Sequence, residues 1–383
     1  MKAKKKKTDG GATQPRDRSG WSRFGRGLLM ALDLLLAILL FVTAYAGVLS
    51  PLKYGGKWGI VGLAFAPMLY VVLFMLVLQL FWHRRGAVVL GISLIACAGP
   101  ILTYCPLHFG SRHAAEGAAT FRLTEYNVVN LFDQRSGDYD SSYCAMMSYV
   151  LAQDADIVCL SEGMPFTPTA KNHMTALQYD SIHQRYPNII VSGHGQVTLS
   201  KFPIEPIHLN MDPEIFSNGG MGAYRVTLPG GKLLTLFNVH MQSFRFTADD
   251  VDLYLSLTDM QREDFGDIRN QLLAKLAYAN VCRARQAQAI LQIIRHYGGP
   301  DVIICGDFND IPDCYAIRAF EDAGFRDVYP EIGLGPMITF NANRFYFCID
   351  HVMYRGALRP LSITKGTLKA SDHYPLTVDF EVL

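Results

Sequence analysis

Val302-Ile303-Ile304-Cys305-Gly306-Asp307-Phe308-Asn309-Asp310 is an apolar run that stops at a glycine, two carboxylates and an amide. A short run rich in β-branched residues and closed by a turn signal reads as a strand buried on both faces. Similar run-ends carry Asn127, Glu162 and His240, and Ser371-Asp372-His373-Tyr374-Pro375 adds a second imidazole near the C-terminus. Polar groups at the ends of separate strands converge when the strands share a sheet. Carboxylates, amides and imidazoles gathered at one sheet mouth suit a divalent metal and a phosphate.

Strand-like runs lie at Phe121–Val128, Ile157–Leu160, Ile189–Ser192, Gly222–Leu228, Leu233–His240, Val302–Cys305, Phe347–Tyr354 and Leu376–Val382. Helix-like stretches separate them, chiefly Tyr139–Ala152 and Arg269–Tyr297. In the second, Leu272, Leu276, Ala279, Cys282, Ala289, Ile290, Ile293 and Ile294 recur at roughly helical spacing. The acidic stretch Ala248–Asp267 has no strand pattern and reads as a solvated surface segment, with a helical flap as the alternative.

Taken in order, Leu123-Thr124-Glu125-Tyr126-Asn127, Leu160-Ser161-Glu162, Asn238-Val239-His240, Gly306-Asp307-Phe308-Asn309-Asp310, Cys348-Ile349-Asp350-His351 and Ser371-Asp372-His373 resemble the endonuclease/exonuclease/phosphatase superfamily. Leu199-Ser200-Lys201-Phe202-Pro203-Ile204 resembles a further segment of it. The resemblance covers roughly residues 120–383 and implies a DNase I-like four-layer α/β sandwich with its site at one edge. It further implies Mg²⁺, or Mn²⁺, held by Glu162 and Asp372, with Asn127 orienting or ligating. Asp307 would align or deprotonate the attacking water, Asn309 would hold a phosphate oxygen, and His373, oriented by Asp350, would stabilise charge on the phosphate. His240 would donate to the phosphate or leaving group. Ser161 stands where many relatives have Gln, and Val129 where many have an acid, which removes one ligand for a second metal. His351, His173, His183, His194 and His208 match no motif and read as structural.

The first 110 residues have a different character. Mean hydropathy for the whole chain is +0.14. No Asp, Glu, Lys or Arg occurs from Trp58 to His83 or from Gly86 to Ser111, and between Leu28 and Pro51 only Asp33 is charged. A helix needs ~20 residues to cross a hydrocarbon core of roughly 30 Å. Three spans therefore read as about Leu28–Leu49, Gly59–Phe81 and Ala87–Leu107. The first is longer than the roughly 7–15-residue core of a signal peptide and reads as an anchor. Asp33 reads as an interfacial carboxylate or a helix–helix hydrogen bond. Lys and Arg in residues 1–26, and Arg84-Arg85, favour the cytoplasmic side. The expectation is a basic cytoplasmic tail (1–26), a three-helix membrane anchor (27–110) and an extracytoplasmic catalytic domain (111–383) of a multi-pass membrane protein.

Charge divides in the same way. Of 35 Lys and Arg, 13 lie in residues 1–110, against 3 of the 34 Asp and Glu; the remainder holds 22 basic and 31 acidic residues, a net of −9. An acidic domain repels long polyanions, whose binding draws on Lys and Arg contacts to phosphates. The absence of any Cys-x-x-Cys argues against a zinc or redox motif, and Cys144, Cys282, Cys314 and Cys348 are the candidates for disulfides. The leading expectation is a Mg²⁺-dependent phosphodiesterase or phosphatase acting on a lipid head group or small phosphoester. The alternatives are an extracytoplasmic nuclease acting on nucleic acid and an inactive anchored binding module.

Overall fold

The computed structural model describes residues 18–133, 139–163, 174–244, 250–251, 265–342 and 345–383. The strands in chain order are β1 Thr120–Asn127, β2 Ile157–Ser161, β3 Asn188–Val191, β4 Val197–Ser200, β5 Ile204–Pro206, β6 Gly220–Thr227, β7 Leu233–His240, β8 Val302–Asp307, β9 Arg326–Asp327, β10 Phe340–Ala342, β11 Phe345–Phe347, β12 Asp350–Arg355, β13 Leu358–Lys365 and β14 Leu376–Val382. The helices are α1 Arg18–Ala46, α2 Pro51–Tyr54, α3 Lys57–Leu63, α4 Phe65–Trp82, α5 Arg84–Ala96, α6 Ala98–Tyr104, α7 Tyr139–Gln153, α8 Ala176–Arg185, α9 Phe265–Tyr297, α10 Tyr315–Asp322 and α11 Val328–Ile332.

Side chains alternate across a strand, so each sheet has two faces to bury. One sheet runs β13-β14-β1-β2-β4-β3 and the other β5-β6-β7-β8-β12-β9. Phe121, Leu123, Ile157 and Cys159 of the first meet Tyr224, Leu236, Ile303, Cys305 and Val352 of the second in one core. The intervening residues Tyr126, Val158 and Leu160 pack instead on Met146, Met147 and Val150 of α7 and Ile182 of α8. On the far side, Val239, Val302 and Ile304 pack on Ala287, Ile290 and Ile294 of α9 and on Ile317 and Phe320 of α10. The layers are helix, sheet, sheet, helix: a four-layer α/β sandwich of the DNase I type. Because both faces of β8 are covered, its sequence is a continuous apolar run rather than an alternating one. Truncating a fully buried residue such as Ile303 to Ala is a loss of about 2–5 kcal/mol.

The chain forms two compact units. One comprises Val42–Ala66 and Ala98–Leu383 and contains the sandwich; the other comprises Met1–Phe41 and Pro67–Cys97. Phe24–Ala46 and Phe65–Trp82 are long and apolar enough to cross a membrane, and Arg84–Ala96 with Ala98–Tyr104 makes a third candidate if this pair, bent by 68°, counts as one span. Pro100 lies in the first turn beyond the bend and lacks the N–H that would continue the earlier helix through it. The second long helix begins at Phe65, later than the Gly59 expected from hydropathy alone. The intervening residues form α3, which packs on α9: Asn280 Nδ2 donates to the Gly56 carbonyl at 2.8 Å. Asp33 is buried and accepts from Gln79 Nε2 at 2.9 and 3.2 Å, a helix–helix hydrogen bond, which is one of the two readings of its position. The stretch Ala248–Asp267 falls largely outside the described residues. Cys282, Cys314 and Cys348 are free thiols, and the Cys144 side chain lies outside the described residues.

Candidate active site

Strand pairing assembles the site. In the parallel register of β7 and β8, His240 stands opposite Asp307. In the antiparallel register of β8 and β12, Asp350 stands opposite the same Asp307 from the other side. In the first sheet Asn127 pairs with Ser161, which puts Glu162 one residue beyond the end of β2. The glycine of the Gly306-Asp307 turn has a steric reason: its φ is +137°, and a Cβ there would lie 1.9 Å from the Val239 carbonyl oxygen of β7.

Asp307 is the centre. It is 1% exposed and accepts from Asn127 Nδ2 at 3.0 Å and from the Asn309 backbone N–H at 2.8 Å. His240 Nε2 and His373 Nε2 approach its Oδ2 at 3.7 and 3.6 Å. His373 Nδ1 donates to Asp350 at 2.8 Å, which leaves Nε2 turned to Asp307. Glu162 Oε1 accepts from Asn127 Nδ2 at 3.2 Å and lies 3.7 Å from His240 Nε2. Ser371 Oγ donates to the Asn127 carbonyl and accepts from the His373 N–H, tying β1 to the C-terminal loop. Glu162 and Asn309 both have positive φ, 55° and 52°; Asn tolerates this left-handed conformation, whereas for Glu162 it costs about 1 kcal/mol or more. The strained backbone at Glu162 marks where the fold holds a side chain against local preference.

The electrostatics follow from burial. Burial pushes the Asp307 carboxyl up to about 6, with Asp350 adding to the rise while His373, His240 and the Asn309 N–H oppose it. For His373, burial works against protonation, but Asp350 and Asp307 outweigh it and hold the imidazole well above its ordinary value. Burial likewise raises Asp372. The carboxylates of Asp307, Asp350, Glu162 and Asp372 thus share a region with the imidazoles of His240 and His373. Among the described residues, Asp307, Asp350 and His373 present ligand atoms within 4.8 Å of one another. An oxygen-rich, excess-acid donor set fits a hard divalent cation. Glu162, His240, Asp307, Asn309, Asp372 and His373 line a cavity of about 360 Å³, within the size range of small-molecule sites.

The sequence profile of the endonuclease/exonuclease/phosphatase family matches residues 129–373. This chain is a member of that family. Solved structures are similar to this chain at low identity. An endonuclease/exonuclease/phosphatase from Bacteroides vulgatus is 15% identical, over 69% of this chain and 99% of its own, with a TM-score of 0.46. A Bacteroides thetaiotaomicron protein of the same family is 16% identical, over 70% of this chain and 99% of its own, with a TM-score of 0.45. The human Nocturnin catalytic domain, solved with a bound sulfate anion, is 15% identical, over 71% of this chain and 97% of its own, with a TM-score of 0.46. No curated protein gives a significant match. In this family member all eight residues singled out in the sequence, Asn127, Glu162, His240, Asp307, Asn309, Asp350, Asp372 and His373, border the cavity or bond to residues that do.

Several supporting residues escaped the motif reading. Arg283 of α9 is 1% exposed, pairs with Asp310 at 3.1 Å and donates to the Gln242 carbonyl at 3.1 Å, which pins the loop after β8 to α9. His351 bonds Asp327 through Nδ1 at 2.7 Å and the Asp310 carbonyl through Nε2 at 3.1 Å. A carboxylate and a carbonyl both require a donor, so the buried ring carries both protons. Its pKa is raised accordingly: burial opposes protonation, and Asp327 and the other acceptors overcome it. Glu125 is fully buried behind the site, and burial, reinforced by Asp350 and Asp307, drives its pKa well above the ordinary carboxylate range. A neutral acid there adds no charge to an already acidic region.

Proposed function

We propose that this protein is a membrane-anchored, divalent-metal-dependent phosphoester hydrolase with an extracytoplasmic catalytic domain. The observation that carries the reading is Asp307: one buried carboxylate within 3.0–3.7 Å of Asn127 and His240, at the ends of β1 and β7, and of His373 in the loop before β14. A phosphoryl centre needs positioning and charge neutralisation more than a protein nucleophile.

Asp307 is the general base. Deprotonated, it takes a proton from the attacking water, and Asn127 holds its orientation. Asn309, whose Nδ2 is fixed on the Met241 carbonyl at 3.0 Å, sits beside it to receive a phosphate oxygen. His373, kept charged by Asp350, stabilises negative charge developing on the phosphate. His240 donates to the phosphate or to the departing oxygen. Glu162 and Asp372, with Asn127 alongside, would hold Mg²⁺ or Mn²⁺, which supplies Lewis-acid polarisation of the phosphoester. The substrate is a lipid head group or another small phosphoester rather than a nucleic acid, in keeping with the domain's net of −9.

The test is turnover of a chromogenic phosphodiester, a phosphomonoester and supercoiled plasmid by the purified full chain in detergent, with Mg²⁺ or with EDTA. EDTA-sensitive release from either small ester, lost in Asp307→Ala and in His373→Ala, is expected. Undiminished turnover in either variant refutes the mechanism, and plasmid nicking without small-ester turnover transfers the reading to a nuclease.

A further inference from the structure

The catalytic cavity has a polar floor and apolar walls. Leu272 and Leu276 of α9, one helical turn apart, form part of one wall; Phe340, Phe345 and Phe347 of the β10–β11 hairpin contribute another. Leu63, the last residue of α3, also lines it. None of its lining residues is Lys or Arg, among the described residues. A groove built for a polynucleotide would place cations along the backbone path. This one presents branched aliphatic and aromatic side chains next to a phosphate site.

Leu63 is there because α3 is docked on α9. Besides the Asn280 to Gly56 bond, the contact is so close that a Cβ on Gly56 would lie 1.9 Å from the Ala277 carbonyl oxygen. The wall residue Leu63 is two residues from Phe65, where an apolar helix long enough to cross a membrane begins. The cavity wall and a candidate membrane span are thus consecutive in the chain. An apolar cleft that starts at a membrane-spanning segment and ends at a phosphate site matches one ligand chemistry: a phosphoester carrying an alkyl chain, entering from the bilayer.

We propose that this cleft binds the alkyl portion of a membrane lipid phosphoester along Leu63, Leu272, Leu276 and the hairpin phenylalanines, with its phosphate on Asn309, His240 and His373. The proposal rests on the hydrolase reading for the phosphate and adds the substrate class. It assigns a substrate-binding role to the segment joining the first two apolar helices.

The test uses the full chain in lipid nanodiscs with Mg²⁺ and a series of alkyl phosphates from two to ten carbons. Binding is followed by calorimetry, with empty nanodiscs subtracting partition into lipid. Affinity is expected to rise with chain length by up to about fourfold per buried methylene until the walls are filled. In Leu63→Ser and, separately, Leu276→Ser, the ratio of decyl to ethyl phosphate affinity should fall at least tenfold. Affinity independent of chain length in the parent overturns the proposal, and so does an unchanged ratio in both variants. Turnover of alkyl p-nitrophenyl phosphates, measured in parallel, separates the two readings. Chain-length-dependent binding without metal-dependent turnover refutes the hydrolase and leaves the alkyl cleft. Turnover insensitive to chain length does the reverse.

Discussion

Replacing Asp307 with Asn should abolish catalysis and, in the absence of metal, make the protein more stable at alkaline pH. Asp307 is raised to about 6 in the folded state, whereas an unfolded Asp titrates near 3.9. A carboxyl whose folded pKa is raised contributes stability below the unfolded pKa and loses it as pH rises through the folded one. The difference of about 2 units is worth about 3 kcal/mol against the folded state at pH 8. Asn removes that penalty. It also turns an acceptor into a donor where Asn127 Nδ2 donates at 3.0 Å, at a cost of about 1 kcal/mol. Asp350 remains to hold His373. The net expectation is a gain of about 2 kcal/mol at pH 8, a rise of several degrees in Tm for a domain of this size. The assay is thermal unfolding of the full chain in detergent with EDTA, for parent and variant, at pH 8 and pH 4. At pH 4 the gain should vanish, because Asp307 is then protonated in the folded parent. A variant no more stable than the parent at pH 8, or a difference that does not shrink on acidification, refutes the assignment of Asp307 as a destabilising buried acid.

Further outcomes follow from the same contacts. His373→Ala should lower kcat by about 10²–10⁴-fold with the fold intact by circular dichroism; Asp350→Asn should lower it less and move the alkaline limb of the pH profile down, because the imidazolium loses its partner. Mg²⁺ at a hundredfold excess over Kd should stabilise the parent by about 2.7 kcal/mol in a thermal-shift assay, and Glu162→Gln should lose most of that gain. Arg283→Met leaves Asp310 buried without its partner and should destabilise the fold by about 3–5 kcal/mol by denaturant titration.

The central strands were legible because they are covered on both faces, so their apolar runs are unbroken and end where the polar residues begin. Strand β13 was not read as one. Its sequence, Leu358-Arg359-Pro360-Leu361-Ser362-Ile363-Thr364-Lys365, contains a proline and is half-exposed at a sheet edge, with a register break between Pro360 and Ser362. The run Phe347–Tyr354 reads as one strand in sequence but is divided, with β11 ending at Phe347 and β12 starting at Asp350. That break starts β12 at Asp350, opposite Asp307. The site residues were legible as ordered motifs, since each sits at, or within a few residues of, a strand end. Arg283 was not, because it lies on a long helix with no local pattern, and its partner Asp310 is distant in sequence. Glu125 was hidden by its type: only the inward direction of Phe121, Leu123 and Glu125 along β1 shows that this acid faces the inter-sheet core.

Membrane topology can be argued from parity. Residues 42–66 fold with residues 98–383, and the Gly56 carbonyl is bonded by Asn280 of α9. The segment joining the two long apolar helices therefore has to lie on the same side of a membrane as the catalytic residues. If only Phe24–Ala46 and Phe65–Trp82 crossed, the chain would emerge on the opposite side, separated from its own docked segment. The proposed membrane anchoring would therefore need a third crossing, for which α5 with α6 is the candidate stretch. The 13 residues of α5 rise only about 20 Å, short of the roughly 30 Å core, so the seven residues of α6 have to contribute as well. With the Lys-rich tail held in the cytoplasm, three crossings would put the catalytic domain outside, as proposed above. A reporter active only outside the cytoplasm should be silent when fused after Arg85 and active when fused after Leu383. Equal signals at the two positions would mean that α5 and α6 do not cross, and would leave the contact between Gly56 and Asn280 incompatible with two membrane spans.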